Sequence, residues 1–322
     1  APLGYLLLKS FILLMVVRGF HGISIAGVTM GYTTLVADLS PPGRRGELIS
    51  YMSLCTPIGG AIGPAVGGFL VAANGYVPLF IVCSTLGSAS LLFSIFVWEP
   101  HSIVGKNSDS HQFEQQNLWQ ILGSRRVLVP VFVMLMVGLT FGTTVTFLPL
   151  YIQENSISLN AGLFYTVRGI TSFIIRILTG RASDKFGRGV FINSGLGFCL
   201  LGMLTLWTAN SSNMILLAAI LGGASGGLIL PMMITLMTDR CPPDQRGKFF
   251  SLCIGGFDFG IAIAGPTFGF IAELIGYRSM FAVDASLACI AIATFITLSN
   301  KDLPHSIRFA FGQGQDTYAV NH

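Results

Sequence analysis

Residues 36–76 read VADLSPPGRRGELISYMSLCTPIGGAIGPAVGGFLVAANGY, and residues 237–277 read MTDRCPPDQRGKFFSLCIGGFDFGIAIAGPTFGFIAELIGY. At a shift of 201 residues Asp38 meets Asp239, Pro41 and Pro42 meet Pro242 and Pro243, and Arg45 and Gly46 meet Arg246 and Gly247. Gly75 and Tyr76 meet Gly276 and Tyr277 at the same shift, and Gly63 and Pro64 meet Gly265 and Pro266 after a slip of one. Solenoid repeats recur every ~20–50 residues, so a unit this long holds several elements. The chain reads as two related halves.

Composition names the solvent. Only 10% of the 322 residues are charged while 52% are hydrophobic, and the mean hydropathy is +0.72. A soluble domain carries about 25% charge. Too few charges are present to cover a wet surface, so the surrounding medium is lipid. The net charge of +4 needs no nucleic-acid partner, because the basic residues sort along the chain as a membrane requires. The six cysteines are scattered without metal or redox spacing, and they read as small packing hydrophobes. Phosphate-binding, serine-hydrolase and zinc-protease patterns are absent from the sequence, and neither an enzyme, a cofactor nor a metal site is expected.

Apolar runs of span length, about 20 residues, lie near 11–36, 48–73, 77–98, 127–151, 160–180, 190–209, 213–238, 249–275 and 279–299. All nine are expected to be helices: only helices and closed barrels satisfy their backbone groups in lipid, and the runs lack the alternation of strands. The connections alternate in charge. One side carries Arg44, Arg45, Lys106, Arg125, Arg126, Arg181, Lys185, Arg188, Arg240, Arg246, Lys248, Lys301 and Arg308. The other carries AANGY, QENSISLN, TANSSN and IGYRS, with Arg278 as its one basic residue. Positive charge accumulates on the cytoplasmic side, which predicts a cytoplasmic carboxyl terminus.

The expected fold class is therefore all-α, a polytopic membrane helix bundle of two pseudo-symmetric halves. Residues 1–98 form the amino-terminal part and 99–126 a polar cytoplasmic linker. Residues 127–308 form a six-helix half-bundle and 309–322 a cytoplasmic tail. Within the linker, NLWQILGSRR has the character of a short interfacial helix. The basic stretch GRASDKFGRG at 180–189 has its expected repeat partner about 20 residues before residue 1. This leads to the expectation of three further helices at the amino end, six plus six in all.

GRASDKFGRG resembles the loop signature of the major facilitator superfamily, with Gly180, Asp184, Gly187 and Arg188 at matching positions, although Gly189 stands where a second basic residue is usual. GGAIGPAVGG at 59–68 is similar to the helix motif of its drug:proton antiporters, through Gly59, Gly63, Pro64, Gly67 and Gly68. RGFHG at 18–22 resembles another helix motif of those transporters, through Arg18 and Gly22. The resemblance implies alternating access, in which one half rocks against the other around a site at mid-membrane. It also implies a proton gradient as the energy source.

Asp184 is expected against the positive end of a helix, and Arg188 in a bridge to an acidic group across the two halves, together closing the cytoplasmic side. The plainer reading makes these basic residues topology anchors. Gly59, Gly63 and Gly67 form a small-residue stripe, as do Gly222 with Gly226 and Gly256 with Gly260, and such stripes let helices approach closely. Pro64 bends its span.

Charges inside a membrane are functional candidates because each costs several kcal/mol unless paired or wet. Arg168 lies about 18 Å from the end of its helix and Asp258 about 15 Å from the end of its own. They are expected to meet, either as a proton-carrying site or as a fixed structural pair. Arg18 has Ala219 as repeat partner, an asymmetry that favours a substrate or proton pathway, with His21 one turn on. Asp284, about 7 Å from the outer surface, is expected to reach water. Met232, Met233 and Met237 are candidates for an adaptable apolar pocket.

The resulting expectation is a monomeric multi-pass carrier in the inner or plasma membrane. It exports small amphiphilic or drug-like molecules against protons. Uptake or exchange of a sugar or organic acid on the same fold stays open, as does a non-transporting receptor or inactive fragment.

Overall fold

In the computed structural model residues 1–39, 55–96, 118–241 and 245–320 are described, and helix is the only regular structure among them. The helices are α1 (Pro2–Leu7), α2 (Phe11–Leu39), α3 (Cys55–Asn74), α4 (Tyr76–Ile95), α5 (Leu118–Leu122) and α6 (Arg125–Glu154). They continue with α7 (Ala161–Phe186), α8 (Arg188–Thr208), α9 (Ser212–Arg240), α10 (Arg246–Leu298) and α11 (Leu303–Ala310). Seven are long and apolar enough to cross a membrane, and Ile58–Asn74 is a shorter apolar helix. The longest, α10, is two helices merged across Gly276, whose φ of 79° and ψ of 160° are not helical. Counting its limbs, 246–275 and 277–298, separately gives eight such helices among the described residues, and the shorter Ile58–Asn74 falls on the ninth expected run.

That break carries the repeat into three dimensions. Gly75, the repeat partner of Gly276, separates α3 from α4 with a φ of 75° and a ψ of −168°. This corner of the backbone map is open essentially to glycine alone. Each half therefore reverses its chain on one glycine, followed in both by tyrosine.

The chain forms two compact units, Ala1–Phe113 and Glu114–His322. In the first, α1 packs on α2 and α4, and α3 on α4. Tyr5 stacks near Phe80 with ring centroids 5.4 Å apart and shares a 3.2 Å hydrogen bond with His21 Nδ1.

In the second unit α6 packs against α10, and α9 against α7 and α8. Glycines set these contacts. A Cβ on Gly138 would stand 2.1 Å from the Phe257 carbonyl oxygen, and one on Gly260 would stand 2.4 Å from that of Leu135. The α7–α9 contact uses Gly223 and Gly227, one residue on from the stripe expected at Gly222 and Gly226. Two apolar clusters result. One gathers Val133, Met134, Leu196, Leu236, Met237, Phe249 and Phe295, the other Leu148, Tyr151, Phe164, Leu206, Met280 and Phe281. Met232 and Met233 join the first cluster at 4% and 0% exposure, so with Met237 they pack the core rather than line a pocket. At the far end Tyr151 ties α6 to α8 by donating to the Ala209 carbonyl at 2.7 Å.

The basic end differs from expectation in two places. The segment expected as linker up to residue 126 is already structured from Leu118, because Ile121, at 1% exposure, joins the first apolar cluster. The expected tail folds back onto the bundle. Arg240, the last residue of α9, is fully buried, and its Nε and Nη2 donate to the two carboxylate oxygens of Asp316 at 2.6 and 3.1 Å. Two further hydrogens go to the carbonyls of Ser299 at 2.7 Å and Arg126 at 3.0 Å. Asn300 Oδ1 accepts from the Thr317 amide and hydroxyl, and the Val320 amide donates to the Asp239 carbonyl. Gly189 is explained by the same docking: a Cβ there would stand 2.1 Å from the Phe309 carbonyl oxygen.

Two outcomes follow. Gly276→Ala is expected to cost about 1–3 kcal/mol, seen as a lowered midpoint of thermal unfolding in detergent. Asp316→Asn strips a buried guanidinium of its counter-charge and should cost roughly 3–5 kcal/mol in the same assay, with proteolysis of the carboxyl-terminal segment accelerated.

Candidate functional site

A polar layer separates the two apolar clusters of the second unit. Facing inward from the middle of α6 are Thr140, Thr143 and Thr144, all at most 2% exposed. Each hydroxyl spends its hydrogen on its own helix: Thr140 on the Val137 carbonyl, Thr143 on Leu139 and Thr144 on Thr140, at 2.8–2.9 Å. What the three offer the interior is lone pairs. Cys199 of α8 lies 3.5 Å from Thr140 Oγ1, so the thiol is the natural donor. Ser225 of α9 is also buried there.

Two charged residue types enter this layer. Arg168 of α7 lays its guanidinium over the Phe141 ring, 4.5 Å from the centroid. The Gly222–Gly223 step makes room for it. A Cβ on Gly222 would meet Arg168 Nε at 3.6 Å, and one on Gly223 would fall 2.5 Å from the Arg168 carbonyl oxygen. One turn earlier, Tyr165 donates its hydroxyl to the Val145 carbonyl at 3.0 Å. From the second limb of α10 comes Asp284, with no exposed surface and no hydrogen-bond partner on either carboxylate oxygen among the described residues. Arg168 and Asp284 both lie within electrostatic reach of Cys199.

The expected Arg168–Asp258 pair is not formed. Gly256 and Gly260 press against the α6 backbone. Asp258, two residues from each, is about 200° around the helix from both and is exposed on the opposite face. Asp284 corrects a second expectation, since it is sealed in the core rather than wet. It lies on the buried stripe of Met280, Phe281, Asp284, Ala285 and Ala288. The sequence carried a signal for it: its repeat partner is Cys83, the same kind of asymmetry that singled out Arg18.

At the basic end, the loop expected over 180–189 is mostly helix. α7 runs through Gly180 and Asp184 to Phe186, and the reversal is made at Gly187 alone, with φ of 84°. The Asp184 side chain lies outside the described residues. Arg188 forms an ion pair with Asp239 in its own unit. In the first unit Arg18 is exposed and His21 is hydrogen-bonded to Tyr5. Gly59 and Gly63, on α3 with the internal Pro64, have no described neighbour within 4 Å of a Cβ position. Gly67 meets Leu79 at 3.3 Å, and Gly68 lies beside it on the same helix. Among the described residues no cluster of His, Cys, Asp and Glu is placed to hold a metal ion.

Apolar helices enclosing charged side chains at mid-depth define a polytopic membrane carrier, and known proteins agree. A sequence model of the Major Facilitator Superfamily matches residues 1–208 and 157–314. The chain is 24% identical over 304 residues to the multidrug resistance protein MdtG of Yersinia enterocolitica, spanning 91% of this chain and 72% of that one. It is 23% identical over 282 residues to the staphylopine export protein of Staphylococcus aureus, spanning 85% and 71%. Among solved structures, a bacterial homolog of the human lysosomal transporter Spinster, inward-facing and unoccupied, superposes with a TM-score of 0.64 at 15% identity. That match covers 95% of this chain and 78% of the other. The chain belongs to the major facilitator superfamily. It is a multi-pass membrane transporter of small molecules and not an enzyme.

The Arg188–Asp239 pair is partly exposed, at 22% and 34%, and such pairs are worth about 1 kcal/mol or less. Arg188→Gln is therefore expected to leave the bundle folded. Within a double-mutant cycle on thermal unfolding, the reversed pair Arg188→Asp with Asp239→Arg should recover most of what Arg188→Asp loses.

Proposed function

We propose that the protein exports small amphiphilic or drug-like molecules in exchange for protons. The observation that carries this reading is the layer of buried Cys199, Thr143 and Asp284, with the half-buried Arg168, between two apolar clusters. A charge at that depth costs several kcal/mol and serves no packing purpose. Phe141 and Tyr165 beside Arg168 offer aromatic faces to the apolar part of an amphiphile. The names of the relatives, multidrug resistance and staphylopine export, support outward transport.

The two repeats rock against each other, opening the layer to either side in turn. Gly187 and the Arg188–Asp239 pair, with Gly180 and Asp184 on the same turn, belong to the gate at the basic end. That end faces the cytoplasm of an inner or plasma membrane, by the distribution of its Arg and Lys residues. The working unit is a monomer. Organic-acid exchange is favoured by one feature: the Arg168 guanidinium meets no carboxylate among the described residues.

Everted vesicles carrying the protein, acidified inside and given a fluorescent amphiphilic cation, are expected to accumulate the dye until a protonophore is added. Arg168→Ala should slow accumulation about tenfold or more, the equivalent of ~1.4 kcal/mol. Dye accumulation that ignores the gradient would remove proton coupling. Uptake of a radiolabelled organic acid in place of the dye would select the exchange reading.

A further inference from the structure

We propose that Asp284 is the group that holds the exchanged proton, an assignment that rests on the proton-coupled reading above. The argument is one of hydrogen supply. Asp284 lies against the Thr143 side chain. The Thr143 hydroxyl is already committed to the Leu139 carbonyl at 2.9 Å. Among the described residues no donor gives a hydrogen bond to either Asp284 oxygen. The one way for Asp284 and Thr143 to share a hydrogen is for the carboxyl to bring it, donating to the free lone pair of Thr143 Oγ1. An ionised Asp284 would instead set two anionic oxygens against the threonine lone pairs with no counter-ion among the described residues.

Every element packed on Asp284 confirms the shortage of positive charge. α6 contributes Thr143 and carries no charged residue between Arg126 and Glu154. α8 contributes Cys199 and has none from Gly189 to its end at Thr208. α9 contributes Ser225, and its charges begin only at Asp239. α7, packed on α9 rather than on α10, carries Tyr165 and Arg168, and Arg168 makes no bond to either Asp284 oxygen. The first limb of α10 holds Asp258 and Glu273, both exposed, and Arg278 of the second limb is bound to Asn210 and the Ala209 carbonyl. Asp284 thus holds its proton in this conformation.

Release needs a conformation in which water or Arg168 reaches the carboxyl. The acid then gives one proton to water and leaves a carboxylate; uptake is the reverse, with no other bond changed. Asp258, exposed on the face turned away from α6, has neither the burial nor the neighbours for this role.

The test has an optical and a transport arm, both on the full chain. Infrared titration of the protein in lipid nanodiscs is expected to show the carbonyl band of a protonated carboxylic acid at neutral pH. It should vanish in Asp284→Asn, shift in Asp284→Glu and persist in Asp258→Asn. In everted vesicles Asp284→Asn is expected to lose gradient-driven dye accumulation while retaining gradient-independent dye exchange. Asparagine matches the shape of the neutral acid, and should it fail to fold, the band position in Asp284→Glu decides alone. A band that is absent from the wild type or indifferent to both Asp284 variants overturns the assignment. A gradient response that survives in Asp284→Asn overturns it too, whereas a wild type without any gradient response overturns the coupled-export reading itself.

Discussion

The cost of a charge in a hydrocarbon medium governs this molecule from sequence to site. It drives Arg and Lys to one set of connections, leaves nearly charge-free runs between them, and makes each exception informative. Three exceptions in the second unit are met in three ways. Arg240 is enclosed at the basic end and satisfied at every side-chain nitrogen by Asp316 and two backbone carbonyls. Arg168 rests on an aromatic face, which returns a part of its lost hydration. Asp284 has neither remedy among the described residues, and on the assignment proposed above it stays neutral.

Close packing of glycine spines is what makes those enclosures dry. Where Gly138 and Gly260 interlock, the α6 and α10 backbones meet with no side chain between them, so the threonines two to six residues past Gly138 are pressed into the interior. The step at Gly222 and Gly223 does the converse, leaving a hollow that a guanidinium fills. Contacts through glycine can slide with little loss, because few side chains must change rotamer. Bundles built this way are suited to rigid rocking of whole helices rather than to local repacking.

Much of this was legible in the sequence. The repeat announced two halves, and Gly75 and Gly276 proved to be the same unusual backbone corner twice. Span number and helical class followed from run length alone. What was not legible was rotation about the helix axis. Depth along a helix follows from counting residues, so Arg168 and Asp258 looked like partners; the face each presents depends on which glycines meet the neighbouring helix, and those placed Asp258 outside. The docked carboxyl-terminal segment was equally hidden. A polar stretch after the last span looks like a free tail unless Gly189 is read as the footprint of something lying on it.

The scaffold repeats and the chemistry does not. Asp284 stands opposite Cys83 in the repeat register and Arg18 opposite Ala219, while the glycines, prolines and turn residues agree between copies. Symmetric placement of the charges would give two equivalent sites that load and empty independently. In the proposed exchange, a single protonatable group and a single guanidinium make occupancy of one mid-depth layer the quantity that both substrate and proton share. If an amphiphile's cationic head and the proton compete for the same carboxyl, each displaces the other with no mechanical relay between distant sites. Obligatory exchange would then follow from the cost of leaving that carboxylate bare in an apolar interior.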